Sequence, residues 1–234
     1  MYREFDPPAG VRGAIACFWT RRGDGSAVRV LPDGCTDIVW RSDHGAVVAG
    51  PDTTAWLSHT RPGELIVGAR LLPGAGGAAL GLPLSELRNQ RLPLPELGLD
   101  RDRRLRNDAD PGKALGLLVG MTTALVSDRP PDRAVQAAVV RLLDPSQRID
   151  RLAGELGFSE RQLRRRFRSA VGYGPKTLQR VLRLRQFLAR AEAGDTDTDL
   201  ATAAFEAGYA DQPHLGRDCR ALTGVSPREL IAGV

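Results

Sequence analysis

Apolar positions in the first hundred residues come in short runs, several of them alternating with polar positions. AIACFWT (14–20), SAVRVL (26–31), TDIVW (36–40), GAVVAG (45–50), TAWLSHT (54–60) and ELIVGARLL (64–72) each predict a strand. RGDG, PDG, SDHG and RPG separate them as turn signals. Strands this short and regular predict a sandwich or barrel rather than βαβ units. GAGGAALGLPLSEL (74–87) predicts a helical turn or two after the sheet, and PLPELGLDRDRRLRNDADPG (93–112) reads as a polar boundary. The period then changes. KALGLLVGMTTALV (113–126) places Leu115, Leu118, Val119, Thr122 and Leu125 at helical spacings, to be covered by its own sheet or by a second copy. Everything beyond reads as helix. The predicted class is α+β, with a β-rich sandwich or barrel over 1–105, a connecting helix and linker over 106–130, and an all-α domain over 131–234.

The helical part repeats itself. LAGELGF (152–158) lies over AAFEAGY (203–209), and LRRRFRSAVGYGPKTL (163–178) over LGRDCRALTGVSPREL (215–230). Each copy has the layout of a helix-turn-helix. In the first (148–172), Ile149, Leu152, Ala153 and Leu156 form an inward face, Gly157 supplies the turn and Phe158 plugs it. Ser159 suits an N-cap, and Leu163, Phe167 and Ala170 face inward on the second helix. Arg161, Gln162, Arg164, Arg165 and Arg168 are then left outward, with Arg166 nearer the inward side. In the second copy (199–224), Leu200, Ala203, Ala204 and Ala207 face inward, Gly208 turns, Tyr209 plugs and Asp211 caps. KTLQRVLRLRQFLARAEAG predicts a linker helix over 176–193 with Leu178, Val181, Leu182 and Leu188 inward.

Charge sharpens this picture. The net charge is +5, but residues 161–190 carry ten Arg or Lys and no acid. Only Lys113 and Lys176 are lysines, so arginine usage by itself reflects composition; its clustering on one helix face does not. An outward arginine can bind guanine O6 and N7 bidentately and a glutamine can do the same for adenine, while a helix N-terminus receives a phosphate. Two such heads about 34 Å apart meet successive major grooves.

These residues resemble a known family. LAGELGFSERQLRRRFRSAVGYGPKTLQRVLRLRQFLARA followed by LATAAFEAGYADQPHLGRDCRALTGVSPREL is similar to the DNA-binding domain of AraC/XylS-type bacterial transcription regulators. The resemblance implies seven helices in two helix-turn-helix subdomains joined by a long central helix. Carried over by position, base reading falls on Arg161, Gln162, Arg164 and Arg165 in the first head and on Gln212, Pro213, His214, Gly216 and Arg217 in the second. Ser159 and Asp211 at the helix starts, with Arg168, Lys176, Arg180 and Arg220, are placed on phosphates. Gly216 and Pro213 offer no polar side chain, and Cys219 stands where the family packs phenylalanine, so the first head is expected to carry most of the specificity. YREFDPPAGVRGAIACFWT, RVLPDGCTDIVW and GARLLPGAGGAALGLPLSEL resemble the amino-terminal domain of a group of AraC-like regulators. That implies a sensing or dimerising role, often in a cupin-like frame, for an unnamed small-molecule effector. The implied partners are double-stranded DNA, RNA polymerase and that effector, in a monomer or homodimer.

Other chemistry finds less support. Cys35, Asp37, Trp40 and Arg70 are the candidate effector pocket; alternatively Cys35 and Trp40 are core residues and Arg70 forms a structural ion pair. Cys17 and Cys35 are the candidate redox pair. The histidines His44, His59 and His214 are scattered, so no metal or cofactor is expected. No apolar run nears the roughly 18 residues of a membrane span, and no leader pattern opens the chain, which points to the cytoplasm. No catalytic motif is present. The alternatives are an alkylation-response protein with a reactive N-terminal-domain cysteine, or an RNA- or protein-binding module using the basic helix. The aromatics Phe158, Phe167 and Tyr209 fall inward, which disfavours RNA stacking.

Overall fold

The computed structural model describes residues 1–42, 44–99, 104–106, 110–193 and 200–233. Eight strands are described: β1 (Tyr2–Phe5), β2 (Ile15–Arg22), β3 (Ala27–Val30), β4 (Thr36–Arg41), β5 (Gly45–Ala49), β6 (Trp56–His59), β7 (Leu65–Leu71) and β8 (Arg91–Pro93). Six form one antiparallel sheet in the order β1-β2-β7-β4-β5-β8, and β3 pairs β6 in a separate ribbon. The alternating pattern sets the faces. Thr36, Ile38 and Trp40 of β4 are buried on one side, while Asp37, Val39 and Arg41 point to the other.

The helices are α1 (Gly76–Leu80), α2 (Pro111–Asp128), α3 (Arg133–Arg141), α4 (Ile149–Glu155), α5 (Glu160–Val171), α6 (Pro175–Ala193), α7 (Leu200–Glu206), α8 (Gln212–Thr223) and α9 (Pro227–Ile231). Helix α2 lays Ala114, Leu118 and Val126 on the apolar face of the sheet, against a core that includes Phe18, Ile38, Trp40, Val48, Val67 and Leu71. Of the two covers its pattern allows, α2 takes its own sheet. Because a helix rather than a second sheet covers that face, the six strands stay open and do not close into a barrel. Strands β1 and β8, at the two edges, have no counterpart among the predicted runs.

Helices α3 to α9 supply the seven helices that the resemblance implies. Val135, Ala138, Leu152, Ala153, Leu163, Phe167, Val171 and Leu178 make one core from α3 to the start of α6. Val181, Leu184, Phe187, Ala203, Ala204, Tyr209, Leu215 and Leu222 make another from the rest of α6 with α7 and α8. The expected start of the second copy at 199, and parts of the 93–112 boundary region, lie outside the described residues.

The two halves touch at several places. At α1, a Cβ on Gly77 would lie 2.5 Å from the Ser169 carbonyl oxygen and 3.1 Å from the Ala170 Cα, so only glycine allows α5 this close. The Gln136 side chain donates to the Gly13 carbonyl at 2.7 Å. The ribbon reaches the end of α8, with Ala55 N–H donating to the Leu222 carbonyl at 2.7 Å and Arg29 Nη1 to the Thr223 carbonyl at 2.9 Å. Leu31, just after β3, packs on the second helical core.

Replacing Gly77 by Ala should therefore force backbone apart and cost about 1–3 kcal/mol, the usual range for overpacking. Gly120→Ala, where nothing lies within 4 Å in mid-helix, should instead stabilise by roughly 0.5–1 kcal/mol. Thermal melting of the two variants checks both signs.

Candidate nucleic-acid interface

The first head is built by local rules. Helix α4 buries Leu152 and Ala153, then ends at Gly157, whose φ of +73° is the left-handed turn that the sequence requires there. Phe158 N–H closes the turn on the Ala153 carbonyl at 2.9 Å. Helix α5 starts with a capping box: Ser159 Oγ accepts from Gln162 N–H at 3.3 Å, and Gln162 Oε1 accepts from Ser159 N–H at 2.8 Å. Leu163, Phe167 and Val171 are fully buried at spacings of four. With one side of the cylinder so fixed, Arg161, Arg164, Arg165 and Arg168 stand exposed on the other, around a shallow groove.

Their partners differ. Arg164 Nη2 lies 3.2 Å from Glu160 Oε2, an exposed pair one turn apart worth at most about 0.5 kcal/mol, so Arg164 is easily redirected. Arg161, Arg165 and Arg168 have no carboxylate partner among the described residues. Arg166 is different. It pairs with Asp132 at 2.5 Å, the residue that caps α3, and stacks 4.4 Å over the Phe158 ring. It braces α5 to α3, as its nearly inward position suggests. Gln162, placed among the base readers by position, has its carboxamide oxygen in the cap.

The second head follows the same plan with a different interior. Gly208 turns at φ +84°, Tyr209 is buried, and Asp211 Oδ1 accepts from His214 N–H at 2.6 Å. Gln212, Arg217 and Arg220 are exposed; His214 and Gly216 are half-buried. His214 meets the Tyr209 ring edge-on, with centroids 5.2 Å apart. Two residues placed on phosphates have other partners in the structure. The Asp211 carboxylate is used as the helix cap and would repel a phosphate, so that position offers backbone alone. Arg180 donates from Nε to Asp218 Oδ1 at 2.9 Å and so ties α6 to α8. The sequence pattern passes over Asp218, which is buried. Its signal was available: with Leu215, Cys219 and Leu222 it falls on the inward stripe of α8, where a carboxylate requires a cation. Lys176 is exposed at the start of α6.

In the sheet domain, Cys35, Asp37 and Arg70 line one cavity of about 260 Å³ on the face of the sheet away from α2. Trp40 does not join them. It is fully buried on the opposite face, its indole N–H donating to the Arg106 carbonyl at 2.8 Å, because an even-numbered β4 position faces the core. Asp37 Oδ1 accepts from Trp19 Nε1 at 3.0 Å and from Arg70 Nε at 3.3 Å. Burial pushes its carboxyl up to about 6 against the opposing pull of Arg70. Both N-terminal-domain cysteines are free thiols. Burial pushes Cys17 up to about 11 and Cys35 well above the usual thiol range, with Asp33 and Asp37 adding to the latter. A thiolate nucleophile or redox sensor is thereby disfavoured at both positions. No described helix is long and apolar enough to cross a membrane.

Comparison with known proteins agrees with this geometry. Residues 133–232 match a family of helix-turn-helix domains, and residues 3–93 match a domain of unknown function, DUF6597. No curated protein matches the chain. Among solved structures, ToxT from Vibrio cholerae at 1.65 Å is similar over 93% of this chain and 98% of that one, at 10% identity with a TM-score of 0.50. ToxT from Vibrio cholerae O395 is similar over 92% and 97%, at 12% identity with a TM-score of 0.49. At such identity the first likeness speaks for the fold alone, an N-terminal β region followed by a helical helix-turn-helix domain. The family match covers the C-terminal domain, so residues 133–232 are a helix-turn-helix domain of AraC type.

Proposed function

We propose that the protein reads a specific duplex site through α5 and α8 in successive major grooves, with the sheet domain adjusting the reading through a bound effector or a second copy. The observation that carries this is the division of α5: three fully buried apolar residues on one side, four exposed arginines on the other. The first head supplies most of the specificity. Arg161, Arg164 and Arg165 are the base readers, Arg168 and Lys176 meet phosphates, and the free N–H groups around Ser159 add a phosphate site at the start of α5. In the second head Gln212, His214 and Arg217 face bases and Arg220 a phosphate, while Gly216 brings no side chain and lets the helix approach closely.

Cys35, Asp37 and Arg70 form the proposed effector side of the molecule. They line a cavity next to the ribbon that touches the end of α8, so an occupant there is in mechanical contact with the second head. In a cell the protein acts on DNA in the cytoplasm, with RNA polymerase as a further partner.

Selection of bound duplexes from a random pool tests the reading; failure to enrich any sequence would sink it. Within an enriched site, Arg165→Ala should cost about 1–3 kcal/mol and relax preference at one base pair. Arg168→Ala should weaken all sequences alike and lower the salt slope by about one. Arg180→Ala should behave differently from either. It leaves Asp218 buried without its cation, and with Arg180 itself partly exposed the loss is about 1–3 kcal/mol of folding stability. Melting and salt-dependent binding, measured on the same three variants, separate these outcomes.

A further inference from the structure

The cavity between the outer face of the sheet, β3 and α6 has an uneven charge inventory. Four arginines line it, Arg29, Arg70, Arg91 and Arg185, against three carboxylates, Asp33, Asp37 and Asp52, so four minus three leaves +1. The acids are already matched. Arg91 grips both oxygens of Asp52 at 2.8 and 2.5 Å, and Arg70 lies 3.3 Å from Asp37 and 3.6 Å from Asp33. Among the described residues neither Arg29 nor Arg185 forms an ion pair within 4 Å, although Glu229 of α9, outside the cavity, feels the charge of Arg29. They come from different halves of the molecule, Arg29 from β3 and Arg185 from α6.

Two polar atoms in this region are buried without a hydrogen bond, Arg29 Nε and the Tyr173 hydroxyl. Tyr173 is 3% exposed, and its hydroxyl is pushed up mainly by burial and then by Asp33, Cys35 and Asp52, three residues that line the cavity. The lining is thus polar and carries a net +1, with the Tyr173 hydroxyl near it rather than in it.

We propose that this cavity binds a small hydroxylated monocarboxylate, with its carboxylate between Arg29 and Arg185 and its hydroxyls toward Asp33 and Asp52. The assignment deepens the effector reading of the same cavity and rests on it. One negative charge offsets the local +1, whereas a phosphate monoester brings nearly two close to three carboxylates. A volume of about 260 Å³ is at the small end for ligand pockets, roughly 300–1,000 Å³, which favours a compact ligand over a lipid chain. The carboxylates supply acceptors for hydroxyl groups.

The position of the site gives it a regulatory consequence. Arg29 donates Nη1 to the Thr223 carbonyl at the C-terminal end of α8. Gly34, in the loop beside the cavity, packs so closely on α6 that a Cβ there would lie 2.7 Å from Leu178 Cδ1. An anion bridging Arg29 and Arg185 would therefore tie β3, α6 and α8 together and hold the second head against the sheet domain.

The test titrates the full chain calorimetrically with gluconate, glycerate and lactate, alongside glucose, glucose 6-phosphate and oleate. Wild type is compared with Arg185→Gln, whose exposed position spares the fold, as the unliganded melting temperature verifies. At least one of the three hydroxy acids should bind at one site and raise the melting temperature, and Arg185→Gln should weaken it about tenfold or more. The proposal is overturned if none of the three binds, if Arg185→Gln binds them equally, or if glucose, the phosphate ester or oleate binds in their place. Duplex selection with the wild type is a separate measurement. Loss of ligand binding with intact selection removes the ligand assignment alone, and loss of selection removes the DNA reading while the titration stands.

Discussion

Helix α5 has one circumference and three claimants on it. Leu163, Phe167 and Val171 must bury against α3, α4 and Tyr173, and the Ser169–Ala170 backbone must meet Gly77 of α1. What remains is the strip bearing Arg161, Arg164, Arg165 and Arg168. The orientation of the basic strip is therefore set by packing on the other two sides rather than by the arginines themselves. This also makes the first head one body with the sheet domain. A contact at which a single Cβ would collide with backbone permits little sliding, because close-packed interfaces transmit displacement instead of absorbing it.

The second head is attached by a different kind of contact. Arg29 and Ala55 donate to the Thr223 and Leu222 carbonyls, groups that the end of a helix leaves without intrahelical partners. A cation there also meets the negative end of the α8 dipole. Such hydrogen bonds exchange readily with water, each with a net worth of about 1 kcal/mol, so the joint is weaker than the Gly77 contact and better suited to adjustment. The interiors of the heads differ in the same direction. The first braces itself with Arg166 between Asp132 and Phe158 on its surface, whereas the second buries Asp218 and answers it with Arg180.

The legible parts of this molecule were those that local chemistry decides. Gly157 and Gly208 announced positive φ, Ser159 and Asp211 announced caps, and Leu163 with Phe167 announced a face; each outcome depends on residues within one or two turns. The repeat made the two heads readable together. What stayed hidden depends on which distant partner arrives. TDIVW gives the alternation of β4 but not which face the core will occupy, so Trp40 was grouped with Asp37 although an odd and an even strand position point apart. Strands β1 and β8 are short edges whose pairing is decided by β2 and β5, not by their own pattern. Arg180 looked like any other arginine in a basic helix until α8 placed Asp218 beside it.

The sheet domain gives a physical reason to separate arginines that bind from arginines that build. A buried carboxylate holds its cation strongly, because leaving the carboxylate alone in a medium of low dielectric costs several kcal/mol. Asp52 and Asp218 each fix one arginine in this way, Arg91 and Arg180 respectively, and Arg41 answers the buried Glu64. Such arginines are not available to a ligand without first exposing an acid. An arginine whose charge has no answering carboxylate carries no such cost, and its counterion must come from solvent or from a partner molecule. On α5 those residues are Arg161, Arg165 and Arg168, facing outward in a row, as a phosphate backbone and base edges require. At the junction of the two halves Arg29 and Arg185, neither in an ion pair within 4 Å, line one cavity, as a small anion requires. The same bookkeeping of charges underlies both proposals, a polyanion along the outer strip of α5 and a monoanion at the joint behind it.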